Sequence, residues 1–518
     1  MNQIANKRDG SFWFAGLHLP PDAALTHFAY IGSTGSGKTI SQRMLYQDTL
    51  RPYIGTGYGH RALMYDAKGD LHSILYGMGI KRKYVKTLNP FDKRCFAWDM
   101  AADIDDEASA LELSAILIPE VNENQPFFRQ AARDILSGVI FSYILNTPGK
   151  WTFRDVVYPL LSKDNQLLKD VLRQSEYTED RLQYFDHPTT ADNIMSTVRT
   201  VMKPYQIIAA MWHKAWKDGK TVSLKEWVEK PDGEILLMGN SHKLKTSLRC
   251  VNQVILKRVS QLLLDQPELK KGDTHRTWIH LDEAREMGRL DGLPELLTNG
   301  RSKGVCVVIG FQDIDGMREV WGKEVAQEII GQCTSKAFFR LGSGSCAQWA
   351  AEQFSYNERF ETSFNQSESY NYQSGTTVQS GQAQQIAKRE IVLPVEFMSI
   401  LPVNLKNGLR GYYISPYFVN VGLSTALYDG DKKHPILGDQ LFKGQLMDKW
   451  PDEVNGEKIN FDPRPPEDQR IEFWTPEERE MFAGKEAEPE DENEEDVENS
   501  EEDDEPDLAI IRYLGEVS

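Results

Sequence analysis

One short segment constrains this chain more than any other. Residues 32–39 read Gly-Ser-Thr-Gly-Ser-Gly-Lys-Thr and fit the phosphate-binding pattern G-x-x-x-x-G-K-[ST]. In such a loop, glycines let successive backbone N–H groups converge on phosphate oxygens, the lysine reaches the outer phosphates, and the threonine hydroxyl helps to hold Mg²⁺. The segment therefore predicts nucleotide binding. The candidate binding residues are Gly32, Thr34, Gly35, Ser36, Gly37, Lys38 and Thr39, of which Lys38 is also a candidate catalytic residue and Thr39 a candidate metal ligand.

The surroundings of this loop predict an α/β fold. A strand-like apolar run at 27–32 precedes the loop, helical spacing follows at 39–49, and a second strand-like run lies at 62–66. The order β, α, β is typical of a parallel sheet with a right-handed crossover. Further strand-like runs follow at 234–238, 277–282, 305–310 and 336–340.

A different pattern interrupts these strands. Between residues 101 and 215 apolar residues recur at spacings of three and four, which indicates consecutive helices. We therefore predict one α/β domain formed by residues 1–100 and 216–440, interrupted by an all-α insertion domain at 101–215. Residues 441–485 are a predicted C-terminal extension.

The net charge of −18 lies mostly in an acidic tail, residues 486–518. Its window 486–507 contains 15 Asp and Glu residues and no Lys or Arg, and the rest of the chain holds 62 acids against 59 bases. This composition predicts disorder, with the apolar run 508–514 as a terminal docking segment; a merely solvated tail is the alternative. A second polar segment, 363–385, is rich in Ser, Gln, Asn and Gly and predicts a loop.

Cysteine usage and hydropathy exclude other classes of protein. The five cysteines show no C-x-x-C spacing, which argues against a zinc site and suits a reducing cytoplasm. The longest uncharged apolar stretch, 135–145, has about half of the roughly 20 residues that a membrane-spanning helix needs. The sequence thus predicts a chain that does not cross a bilayer by itself.

A phosphate-binding loop needs an acidic partner at the end of another strand. Asp282 and Glu283 follow the apolar run 277–281 and are the best candidates. Asp282 would assist the metal ion, and Glu283 would polarise the attacking water. Asp66, which closes the run 62–65, is the rival metal carboxylate but lacks an adjacent glutamate.

Two further polar residues flank the next strand-like run. Arg301 precedes the run at 305–310, and Gln312 lies just beyond it. An arginine supplied by a neighbouring subunit neutralises charge in the transition state of many P-loop motors, and a glutamine at a strand end can sense the γ-phosphate. Both residues are therefore predicted catalytic residues, although a surface loop cation is the alternative for Arg301.

The order of these motifs resembles that of the type IV coupling proteins of conjugation and type IV secretion. The resemblance extends over roughly residues 15–425 and includes the runs Tyr-Asp-Ala-Lys-Gly-Asp at 65–70, Leu-Asn-Pro-Phe-Asp at 88–92 and Gly-Phe-Gln at 310–312. It implies a RecA-like P-loop NTPase domain with an all-α insertion, which assembles into a ring, a homo-hexamer, and uses ATP and Mg²⁺ to move DNA. Lys38, Thr39, Asp282, Glu283 and Gln312 match the family's ATPase motifs, and Arg301 matches its trans-acting arginine.

The resemblance also implies partners and a location. These are DNA without sequence preference, a relaxase complex or adaptor protein bound through the helical insertion and the tail, and the proteins of a type IV secretion channel. Family members usually begin with a transmembrane pair, whereas about 30 residues precede this loop. We therefore predict a cytoplasmic protein that either reaches the inner membrane through a partner or is a soluble variant of the family.

Two alternative functions remain open at this point. The first is a cytoplasmic hexameric DNA translocase of the chromosome-segregation or end-processing kind, which would need no membrane anchor. The second is a receptor for protein substrates of a type IV secretion system, in which the loop chiefly organises the ring.

Overall fold

The computed structural model describes residues 10–417, with gaps at 16, 121–125, 164, 355, 373–374 and 405–406, and residues 459 and 461–484. The strands are β1 Phe12–Phe14, β2 Leu17–Leu19, β3 Phe28–Ile31, β4 Arg61–Asp66, β5 Val85–Thr87, β6 Ala97–Trp98, β7 Thr221–Val222, β8 Ile235–Gly239, β9 Thr277–Leu281, β10 Val305–Phe311, β11 Ser335–Phe338, β12 Tyr356–Asn371, β13 Gly375–Glu390 and β14 Tyr412–Ile414. The helices are α1 Lys38–Thr49, α2 Leu71–Gly77, α3 Met100–Asp103, α4 Glu107–Leu117, α5 Pro126–Asn146, α6 Phe153–Leu161, α7 Gln166–Arg173, α8 Glu176–Glu179, α9 Pro188–Met202, α10 Tyr205–Lys217, α11 Leu224–Glu229, α12 Lys245–Leu264, α13 Leu293–Asn299, α14 Ile314–Trp321, α15 Lys323–Gln332, α16 Gly344–Gln353, α17 Pro394–Met398 and α18 Pro476–Ala483.

A central eight-stranded sheet organises the molecule. Its strand order is β14-β11-β3-β10-β9-β4-β8-β5, and each neighbouring pair is parallel except β14 with β11. Each strand-like run predicted from the sequence lies in this sheet, and strands from before residue 100 pair with strands from after residue 230. The predicted α/β fold with a mainly parallel sheet is confirmed.

The sheet is buried on both faces, as a parallel sheet requires. Alternate residues of β10 show this division: Val305, Val307 and Ile309 pack in one hydrophobic cluster, and Cys306 and Val308 pack in the other. The first cluster includes residues of α4 to α7, α9 and α10, and the second includes residues of α1, α2 and the β1–β2 hairpin. The molecule therefore has three layers, with α1 on the face opposite the large helical layer.

The chain passes from the α/β part into the large helical layer and returns from it at neighbouring points. Strand β6 pairs in parallel with β7, so that Ala97 lies opposite Thr221 and Trp98 lies opposite Val222. In the described residues between these two strands the regular elements are helices. Because these helices share one continuous hydrophobic cluster with the sheet, the limits assigned to the insertion domain stay a prediction.

Residues 461–484 fold onto the helical layer. The Trp474 indole N–H donates a hydrogen bond of 2.9 Å to Asp155, and the Arg154 guanidinium lies 2.7 Å from a carboxylate oxygen of Glu478. The Phe482 ring packs edge-on against Tyr143, with 5.4 Å between the ring centroids. This part of the predicted C-terminal extension is thus integrated into the core.

A pair of phenylalanines in this segment gives a matched test of that packing. Phe482 is 3% exposed and Phe473 is 74% exposed. Phe482→Ala is expected to lower the free energy of unfolding by about 3 kcal/mol, because it leaves a cavity against Tyr143 and Trp474. Phe473→Ala is expected to change it by less than about 0.5 kcal/mol. Chemical denaturation followed by circular dichroism measures both, and equal effects would contradict the packing described.

The polar segment 363–385 is not the loop that its composition predicts. Apart from Tyr372 in the connecting turn, its described residues lie in β12 and β13, which pair with each other from Tyr356 opposite Glu390 to Asn371 opposite Gly375. Two polar strands can satisfy each other's backbone groups without a hydrophobic core, so composition alone misleads here. The acidic tail, 486–518, lies outside the described residues. Within the part of the chain that the structure describes, no helix has the length and apolar character to span a membrane.

Candidate functional site

The phosphate-binding loop connects β3 to α1 in the middle of the sheet. Gly35 and Gly37 have φ angles of 73° and 105°, in the left-handed region that favours glycine. A Cβ atom at Gly37 would lie 2.3 Å from Cδ1 of Leu409, so the Leu409 side chain would have to move to admit it. The backbone N–H and the hydroxyl of Ser33 both donate to the carbonyl of Arg340 at 2.9 Å. The loop is therefore held in shape from both sides.

The loop ends at the start of α1, where backbone N–H groups face an anion readily. Gly37 occupies the N-cap position, and no side chain in the described part of the chain caps this helix start. Lys38 follows directly and is 5% exposed. The loop thus presents free backbone donors and one buried cation, which is the chemistry that a triphosphate requires.

An ion pair connects the loop to the strand end that the sequence predicts. Nζ of Lys38 lies 2.7 Å from Oε1 of Glu283, which follows β9 two strands away from β3. Glu283 has a φ angle of 58°, which is unusual for a residue other than glycine and costs on the order of 1–3 kcal/mol. Such strained residues concentrate at functional sites. The structure thus brings together the two residues predicted to bind the phosphates and to polarise water.

Asp282 presents a buried carboxylate oxygen at the same strand end. Its Oδ1 has no hydrogen-bond partner among the described residues, and burial raises the pKa of Asp282, whereas Lys38 and Lys68 lower it. A Cβ at Gly310 would lie 2.6 Å from this oxygen, so the glycine allows the close approach of β10. A hard cation such as Mg²⁺ prefers oxygen ligands. The orphaned oxygen therefore fits the predicted role of Asp282 beside a metal ion.

Lys68 belongs to the site although no role was predicted for it. Its ammonium group donates a hydrogen bond of 2.7 Å to Oγ1 of Thr39, the predicted metal ligand. Asp66 accepts hydrogen bonds from the backbone N–H groups of Gly69, Asp70 and Leu71 at 2.8–3.3 Å, which shapes the turn that contains Lys68. Burial raises the pKa of Asp66 to about 7. Its oxygens are occupied by this turn, which disfavours Asp66 as a metal ligand.

Gln312 lies at the end of β10 and shares a cleft with Glu283. The cleft has a volume of about 570 Å³, and Glu283, the ion-pair partner of Lys38, is one of its lining residues. Sequence reasoning did not identify its charged residues outside the predicted site, which are Lys245, Arg249, Arg285, Glu286, Asp313 and Glu319. In the sequence, these residues could have been identified only from their positions shortly after β8, β9 or β10, because parallel strands end at this edge of the sheet.

Arg301 lies away from the phosphate-binding loop of its own chain. It is exposed, in the short 3₁₀ helix Gly300–Lys303 that precedes β10. Strand β10 is seven residues long, or about 23 Å, and the loop lies beyond its opposite end. The structure therefore does not bring Arg301 to the other predicted catalytic residues within one chain.

The sheet, the loop between β3 and α1, and the acidic end of β9 together define a protein of the P-loop NTPase fold. A family model described as the type IV secretion-system coupling protein DNA-binding domain matches residues 11–417. The chain belongs to this family.

Comparison with individual proteins agrees with the family. The chain is 24% identical over 373 residues to the coupling protein TraD of Escherichia coli (strain K12), an alignment that covers 70% of this chain and 48% of TraD. The chain thus spans about half the length of this relative. Structures of the conjugative coupling protein TrwB superpose with a TM-score of 0.59 at 19% identity, covering 80% of this chain and 88% of the TrwB chain in each structure; they include an unbound form of TrwBΔN70 and a complex with ADP and Mg²⁺.

Proposed function

We propose that this chain hydrolyses ATP at the phosphate-binding loop. The observation that supports this most strongly is the 2.7 Å ion pair between Lys38 and Glu283 beside the unpartnered oxygen of Asp282. The Lys38 ammonium and the backbone N–H groups of residues 35 and 37–39 bind the phosphates, whereas that of Ser36 donates to the Ser33 carbonyl. Gln312 lines the cleft that also contains Glu283. The complexes of TrwB with ADP and Mg²⁺, with an ATP analogue and with a GTP analogue support nucleotide binding at this loop. The choice of ATP rests on the resemblance to the family.

Thr39 and Asp282 are the residues that would hold Mg²⁺. When bound, the ion neutralises charge on the phosphate oxygens. Lys68, which donates to the Thr39 hydroxyl, keeps a second cation beside this position. Glu283 acts as the base that orients and polarises the attacking water, because its carboxylate lies within hydrogen-bonding distance of the lysine that binds the phosphates.

We further propose that hydrolysis moves DNA through a ring of identical chains, a homo-hexamer, and couples a relaxase–DNA complex to a type IV secretion channel. The family model, which describes a DNA-binding domain, and the likeness to TraD support this function. Arg301 lies at the far end of β10 from its own loop, so its proposed part in hydrolysis requires the phosphate-binding loop of another copy. The tail and the helical layer are the proposed contacts for the relaxase complex or an adaptor.

Hydrolysis at several protein concentrations tests this proposal. Specific activity is expected to rise with protein concentration, because each site needs an arginine from a neighbour, and to rise further with single- or double-stranded DNA. Activity that is indifferent to DNA would contradict the DNA motor and favour a receptor for protein substrates. Constant specific activity over a wide dilution series would contradict the arginine in trans.

Mixing two inactive variants tests the arginine directly. Arg301→Ala is expected to lower kcat about 10³-fold, because the transition-state charge loses a cation. Lys38→Ala inactivates its own loop but keeps Arg301. Mixed assemblies of the two variants should therefore regain hydrolysis, since the intact loop of one chain meets the intact arginine of the next.

The 3₁₀ helix that contains Arg301 also provides the control for this experiment. Lys303→Ala, in the same 3₁₀ helix, should keep activity within about twofold, as a surface substitution does. A mixture with no more activity than the sum of its two components would show that Arg301 does not act between chains.

A further inference from the structure

The turn between β4 and α2 is fixed from two sides, in addition to the backbone hydrogen bonds that Asp66 accepts. From α1, the Arg43 guanidinium forms an ion pair of 2.6 Å with Asp70. From the residue after β8, the Asn240 amide donates a hydrogen bond of 3.1 Å to the Ala67 carbonyl. The backbone on both sides of the exposed lysine in this turn is therefore held by other parts of the fold.

The side chain of this lysine, Lys68, extends from the turn to the phosphate-binding segment. Its ammonium group donates a hydrogen bond of 2.7 Å to Oγ1 of Thr39. In the part of the chain that the structure describes, Lys68 forms no ion pair, whereas Lys38 is paired with Glu283. The site thus holds two cations, and one of them contacts a neutral hydroxyl group. The charge of Lys68 is therefore available to an anion such as a nucleotide phosphate.

The contact of Lys68 with Thr39 is not needed to shape the turn. The ion pair of Asp70, the hydrogen bond from Asn240 and the three hydrogen bonds to Asp66 already determine the path of its backbone. Ordering a long lysine side chain also costs conformational entropy. The direction of Lys68 is therefore better explained by what the phosphate-binding segment binds than by the structure of the turn.

Lys68 contacts an oxygen that Mg²⁺ would also use. Thr39 and Asp282 are the residues that would hold Mg²⁺ in the proposed function, on which this step rests. Lys68 acts on both: it donates to the Thr39 hydroxyl, and, although burial raises the pKa of Asp282, Lys38 and Lys68 lower it. An ammonium group and a divalent cation on one oxygen repel each other, and they do so more strongly at a protein site than in bulk water. Either cation can balance phosphate charge beside Thr39, but not both at this oxygen.

We infer that Lys68 is a second cation for the phosphates of the nucleotide, which replaces Mg²⁺ beside Thr39 when the nucleotide binds without the metal. Lys68→Met removes the charge and keeps a long side chain, and Lys68→Arg keeps the charge. Lys83→Met is the matched control, because Lys83 is an exposed lysine of the 3₁₀ helix Arg82–Tyr84. Fluorescence anisotropy measures the Kd of each full-length variant for a fluorescent ATP analogue, once with EDTA and once with excess Mg²⁺.

Lys68→Met is expected to raise the Kd at least about tenfold in EDTA, because a charge-assisted contact with phosphate is lost, and by less than about threefold in Mg²⁺. Lys68→Arg and Lys83→Met should stay within about threefold of the wild type in both conditions. Equal losses in EDTA and in Mg²⁺ would overturn the inference, because Lys68 would then be a contact that the metal does not replace. An unchanged Kd of Lys68→Met in EDTA would overturn it as well.

ATP hydrolysis separates this inference from the proposed function. If the Kd values follow the expected pattern but the wild type hydrolyses no ATP, the proposed function fails and this inference stands. If the wild type hydrolyses ATP and Lys68→Met binds the analogue as the wild type does in EDTA, the inference fails and the proposed function stands. A wild type that binds the analogue in neither condition would contradict both.

Discussion

Lys38→Ala is expected to abolish ATP hydrolysis, with a loss of at least about 10³-fold in kcat. The substitution removes a cation that binds the phosphates and stabilises the charge that develops during transfer, and one such contact in a site shielded from water contributes several kcal/mol. It also leaves Glu283, whose side chain is 14% exposed, without its ion-pair partner. Steady-state phosphate release measures the loss, and binding of a fluorescent ATP analogue shows how much affinity is lost with it.

Lys81→Ala is the matched control for this substitution, because Lys81 is exposed and remote from the loop in sequence. It should leave both measurements unchanged within about twofold. Circular dichroism should show the same helix content for both variants. If a folded Lys38→Ala protein keeps more than a tenth of the wild-type kcat, the loop is not the site of hydrolysis.

Glu283→Gln is expected to separate nucleotide binding from hydrolysis. The amide keeps the size of the side chain and can still accept a hydrogen bond from Lys38, but it cannot act as a base. Loss of general base catalysis lowers kcat by about 10²–10⁴-fold. Affinity for the ATP analogue should stay the same or increase, because the lysine is released from an ion pair and becomes available to phosphate.

Glu319→Gln provides the comparison within the same cleft. Glu319 pairs with Arg285 at 2.6 Å, and both side chains are more than half exposed, so the loss of this pair should change kcat by less than about threefold. Equal losses of kcat in the two glutamine variants would indicate that the cleft responds to its total charge. In that case Glu283 would have no specific role as the base.

The sequence predicts the sheet well for a physical reason. Central parallel strands are buried on both faces, so they appear as continuous apolar runs such as 305–311. The phosphate-binding loop is equally easy to recognise in the sequence, because the positive φ angles at positions 35 and 37 favour glycine. Asp282 and Glu283 could be placed because carboxyl ends of parallel strands meet at one edge of a sheet.

Other features depend on contacts between distant residues and leave no local pattern. The left-handed backbone of Glu283, the contact of Lys68 with Thr39 and the packing of Phe482 on Tyr143 are of this kind. The sequence does not predict the paired strands β12 and β13, for a different reason. Their Ser, Asn, Gln and Gly residues are typical of loops, and the alternation of their aromatic positions becomes informative only when the pairing register is known.

A triplex-displacement assay tests most directly whether ATP hydrolysis at this loop moves DNA. A labelled third strand is placed at increasing distances along a DNA duplex, and its release is followed after addition of ATP and Mg²⁺. If the protein moves along DNA, release requires ATP, is absent with Lys38→Ala, and begins later in proportion to the distance. Hydrolysis stimulated by DNA without any release, or release with a delay independent of distance, would contradict translocation.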